Sequence, residues 1–92
     1  YAPEIAYRWM ASDSDIRQIC GFCILSRLFM RGQEPNERGI NEFLDQAVTA
    51  LLGTSVGVRH AAWNCTNRFA ELGEDYEAIA KKALQQAGID FF

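Results

Sequence analysis

Apolar and polar positions along the chain fall into five stretches of three- and four-residue periodicity separated by short polar turns, which predicts five helices. The first runs from about Pro3 to Ala11, with proline in its first turn and Ile5, Ala6, Trp9 and Met10 on one side. The second spans about Asp13 to Arg31 and is apolar almost all round: Ile16, Ile19, Cys20, Phe22, Cys23, Ile24, Leu25, Leu28 and Phe29. That pattern predicts a helix covered on several sides, the central element of the fold. A third helix covers about Glu37 to Leu52 and stops at Gly53. The fourth, about Ser55 to Leu72, carries Val58, Ala61, Ala62, Cys65, Phe69 and Leu72 on one stripe. The fifth, about Asp75 to Ala87, carries Tyr76, Ile79, Ala80, Ala83 and Leu84 and is closed by Gly88. Ser12 with Asp15 resembles a capping box for the second helix, and Gly32 to Asn36 forms the longest loop.

Parts of this pattern recur. Ile16-Arg17 with Cys23 is answered 42 positions later by Val58-Arg59 with Cys65. Phe43, Leu44, Val48 and Leu51 are answered at an interval of 36 by Ile79, Ala80, Leu84 and Ala87. Intervals of this length predict antiparallel helix pairs stacked into an all-α superhelix, because one pair cannot bury its apolar face alone. The expected organisation is a single domain, with one repeat over about 3–31, a second over about 37–72 and a half repeat over 75–92. The apolar segment Ile89-Asp90-Phe91-Phe92 is left without a helix and is expected to pack on something.

Composition narrows the function classes. The 92 residues are 49% hydrophobic with two prolines, a globular balance, and no apolar run is long enough to span a bilayer. Three cysteines, an odd number at ordinary density, argue against a disulfide framework and for a reducing, cytoplasmic setting. The start at Tyr1, with no initiator Met and no basic segment ahead of an apolar stretch, reads as a fragment or processed product without a secretory signal. Net charge is −3, so any nucleic-acid role requires a local basic face.

Few constellations carry chemistry. Trp9 and Asp13 lie four residues apart across a helix end, a spacing that can set an indole beside a carboxylate, or can leave Trp9 in the core and Asp13 as a helix-start charge. Arg59, His60, Trp63 and Asn67 fall in a sector of about 100° opposite the apolar stripe of the fourth helix. Arginine beside an aromatic suits phosphate contact and stacking; the alternative has Trp63 buried and Arg59 tied to a turn carboxylate. Cys20-Gly21-Phe22-Cys23 is a Cys-x-x-Cys string inside an apolar helix with no second pair, which reads as core cysteine rather than a metal site. No nucleophile triad assembles around His60, the single histidine, and no cofactor or metal is expected.

Trp9-Met10-Ala11-Ser12-Asp13, the Ile-Arg helix that follows and Val58-Arg59-His60-Ala61-Ala62-Trp63 resemble the second half of the AlkD-type DNA alkylation-repair proteins. That family is built from HEAT-like, armadillo-like helical repeats. The resemblance implies that Trp9 and Asp13 face a damaged nucleotide, and that the activity is removal of alkylated purines from double-stranded DNA by a metal-free glycosylase. The aromatic and second basic residue that follow the aspartate in the family are replaced here by Ser14 to Gln18. That departure keeps open a second class, a non-catalytic HEAT-like scaffold that binds protein.

Overall fold

The computed structural model describes residues 2–12 and 14–89, in which α1 (Ala2–Met10), α2 (Asp15–Met30), α3 (Glu37–Leu52), α4 (Val56–Ala70) and α5 (Glu74–Gln86) follow one another with no strand among them. The protein is all-α, as the periodicity predicts. Helix starts are fixed by side chains that supply acceptors for first-turn amides. Ser14 Oγ accepts from Arg17 N at 3.5 Å, Asn36 Oδ1 from Gly39 N at 2.8 Å and Ser55 Oγ from Val58 N at 3.4 Å. The start of α2 is therefore two residues later than the Ser12–Asp15 box predicts, and Ser12 Oγ instead accepts from Ser14 N at 3.2 Å. After α2 and α5 the chain turns at Gly32 (φ 80°) and Gly88 (φ 77°), left-handed positions that glycine adopts without strain.

Two layers form from these helices. α2 packs on α1 and α4; α4 packs on α2, α3 and α5; α3 also touches α1 and α5. Hence α2 and α4 make one layer and α1, α3 and α5 the other, in a slab 32 × 31 × 19 Å across. The hub is α4, not α2, because the apolar girdle of α2 is not covered all round: Cys23 and Met30 stay exposed, and so does Ile16. Within their layer α2 and α4 run parallel. A β-carbon on Gly57, at the start of α4, would sit 3.1 Å from Ile19 Cδ1 near the start of α2, and Phe29 and Phe69 meet at 5.6 Å near their ends.

Burial gives the true register of the repeat. Phe22, Leu25, Ser26 and Phe29 recur, 40 positions on, as Ala62, Cys65, Thr66 and Phe69, all eight of them buried. In the other layer Ala6 and Met10, Phe43 and Ala47, then Ala80 and Leu84 recur every 37 positions, again all buried. The intervals of 42 and 36 suggested by residue likeness pair unlike environments: Ile16 is 74% exposed and Val58 only 3%. Shared residue type misled there; shared burial is what stacking imposes.

Phe29, Phe43 and Phe69 pack with centroids 5.2 to 5.6 Å apart, and Tyr76 adds its ring at 5.3 Å from Phe69. These rings bind all but α1 at one rim. Tyr76 Oη donates to Glu34 Oε1 at 2.7 Å and so ties the longest loop to α5. The opposite rim holds Ser12, Ser14 and the turn 53–55.

Candidate nucleic-acid interface

Trp9 occupies the last turn of α1 and is 37% exposed, so its ring is neither core nor free. The turn after it is held from both sides. Ser12 N donates to Trp9 O at 3.1 Å, and Gln18 Nε2 donates to Ser12 O, fastening the turn to the first coil of α2. Asp13, the partner expected for Trp9, lies outside the described residues, as do Asp90, Phe91 and Phe92 of the tail.

On α4, Arg59 and His60 are exposed, whereas Trp63 and Asn67 are half-buried, with Trp63 packed against the edge of the core. All four look away from the buried stripe of Val58, Ala62, Cys65, Thr66 and Phe69. Arg59 and His60 are thus open to solvent, while the Trp63 indole serves packing and surface at once. Of the three cysteines, only Cys65 is core; Cys20 is half-buried and Cys23 exposed, which corrects the expectation that all were interior. Burial pushes the Cys65 thiol from 9.0 up to about 12, against a smaller opposing pull from the Ser26 hydroxyl, so it offers no thiolate for catalysis. Among the described residues, no three His, Cys, Asp or Glu side chains come together in a group suited to a metal.

The feature that residue-by-residue inspection missed is the sorting of charge between layers. With their C-caps, α2 and α4 carry five arginines (Arg17, Arg27, Arg31, Arg59 and Arg68) against two carboxylates, Asp15 and Glu71. The other ten Asp and Glu residues fall elsewhere, among only four other cationic side chains. Net charge of −3 is thus the sum of +3 in the α2/α4 layer and −6 in the remainder. The signal was in the sequence as two long gaps between acids, but only the parallel packing of α2 on α4 turns two gaps into one surface. Arg68 is partly spent, its Nη1 lying 2.9 Å from Glu71 Oε1. An open depression of about 570 Å³ on α3, lined by Asn36, Glu37, Arg38, Asn41, Glu42 and Asp45, belongs to the acidic layer.

Compared with protein-family models, with curated proteins and with solved structures, the chain matches none.

Proposed function

We propose that the chain is part of an AlkD-like DNA alkylation-repair protein that holds duplex DNA against its α2/α4 layer and releases alkylated purines by hydrolysis of the N-glycosidic bond. The observation that carries this reading is the concentration of five arginines, against only Asp15 and Glu71, in one layer of an otherwise acidic molecule. Such a layer attracts a phosphate backbone locally where the whole chain would not. Arginine rather than lysine supplies the charge there, which suits paired hydrogen bonds to phosphate. Arg59, His60, Trp63 and Asn67 belong to this layer, and Trp9 lies in the last turn of α1, in the other layer, just before the turn into α2.

In this mechanism Asp13 and Trp9 act on a base that already bears positive charge. Alkylation of the purine weakens its glycosidic bond, the Asp13 carboxylate stabilises the cationic sugar that develops, and the indole adds cation–π attraction. No metal or cofactor enters. Three free cysteines fit a reducing, cytoplasmic setting. Titration with alkylated and plain duplex DNA tests the binding: tighter, salt-sensitive association is expected, and absence of binding at low salt rejects the reading. Base release by the wild type and not by Asp13→Asn tests the chemistry; equal release removes Asp13 from it.

A further inference from the structure

The outer face of the α2/α4 layer carries large apolar side chains that the fold leaves uncovered. Ile16 is 74% exposed, Val56 67% and Met30 66%. Ile16 and Val56 are 40 positions apart, the interval that also relates Leu25 to Cys65 and Phe29 to Phe69, so they hold the same place in two parallel neighbouring helices. With helix axes about 8–10 Å apart, they stand as adjacent apolar knobs. Exposed Cys23 and half-buried Trp63 repeat the same equivalence further along. Arg27 lies one turn beyond Cys23, and Arg17 and Arg59 flank the pair of helices.

A phosphodiester gains nothing from exposed isoleucine or methionine, whereas Arg, Trp and Met with no Lys or Glu, and Asp15 only at the edge beside Ile16, is close to the composition of the core of a protein interface. We propose that this face docks an acidic amphipathic helix from a protein partner, its apolar stripe covering Ile16, Val56 and Met30 and its carboxylates meeting Arg17, Arg27 and Arg59. The charge of the layer selects the sign of the partner: a net +3 attracts an acidic segment and rejects a basic one. The exposed length suits it too, since a helix of about 18 residues, roughly 27 Å long, spans the face. This inference goes beyond the DNA reading and draws on the same arginines, so the two ligands compete.

Fluorescence anisotropy with the full chain and two designed acidic peptides of equal charge tests it. One peptide carries leucines at helical spacing of three and four; in the other, serine replaces every leucine. The leucine peptide is expected to bind at least about tenfold more tightly. That preference should shrink to within about threefold in the double variant Ile16→Ser, Val56→Ser, whose circular dichroism stays that of the wild type because both side chains are exposed. Equal binding of the two peptides, or no binding of either at roughly 1 mM, overturns the proposal. A short duplex DNA titrated against the same variant separates this inference from the preceding one. Duplex binding that survives while no peptide preference is found sinks only the peptide site, and a peptide preference without duplex binding sinks only the DNA reading.

Discussion

Gly21 shows how one missing side chain sets the distance between two helices. A β-carbon there would lie 2.7 Å from Ala6 O, 2.8 Å from Met10 N and 2.9 Å from Met10 Cγ. Two of those atoms are backbone, so α1 itself must move. Gly21→Ala is expected to destabilise the protein by about 1–3 kcal/mol despite alanine's better helix propensity of about 1 kcal/mol; unchanged or raised stability in urea would refute the close approach. The Cys-x-x-Cys string thus marks a packing site, with glycine as its working residue. Cys65 makes a second residue-scale prediction. Its thiol stays neutral in the folded protein until about pH 12 but ionises near 9.0 once unfolded. Its contribution to stability is complete below pH 9.0 and disappears as pH rises toward 12, a loss on the order of a few kcal/mol. Cys65→Ala should lack that component of the alkaline loss, and a thiol reagent should label Cys23 in the native protein and Cys65 only on unfolding.

At the scale of elements, α4 is the piece on which stability depends, because it alone touches α2, α3 and α5. Phe69 is fully buried at the centre of its aromatic contacts with Phe29, Phe43 and Tyr76. Phe69→Ala should cost about 3–5 kcal/mol, much of what holds a domain of this size together, whereas Met30→Ala on the open side of α2 should change stability by under about 0.5 kcal/mol. Thermal unfolding of the two variants decides it, and similar losses would mean that Met30 is covered. The helices themselves were legible: α3 has the bounds that its periodicity and Gly53 predict, and the others shift by three residues or fewer. Register was not. Ile16 and Val58 share a residue type with arginine next to each, yet one faces solvent and the other the core, because stacking conserves burial and leaves identity free. For the same reason α2 reads as the most covered helix, although Ile16, Cys23 and Met30 on its outer side stay exposed. Of the candidate site, Arg59 and His60 were legible from helical phase alone, while Trp63 is held half-buried by neighbours that phase does not specify.

For the whole molecule, the decisive property is that charge follows the layers and not the sum. A ligand approaching the α2/α4 layer meets five arginines against Asp15 and Glu71, while one approaching α3 and α5 meets Glu37, Glu42, Asp45, Glu74, Asp75 and Glu77 against Arg38, Lys81 and Lys82. Counterion release makes this measurable, because each phosphate neutralised contributes about −0.9 to the slope of log affinity against log salt. Arg68 is engaged with Glu71, which leaves Arg17, Arg27, Arg31 and Arg59 to contact phosphate. A plain duplex should therefore bind with a slope between about −3 and −4. Arg17→Gln and Arg59→Gln should each flatten that slope by about 1, with little dependence on base sequence, since phosphate contacts position the duplex without reading it. Replacing Lys81 and Lys82 on α5 by glutamine removes two positive charges from the opposite layer and should leave the slope as it was. A lysine variant that flattens the slope as much as the arginine variants do would mean that DNA responds to total charge, and the layered surface would lose its claim to be the binding face.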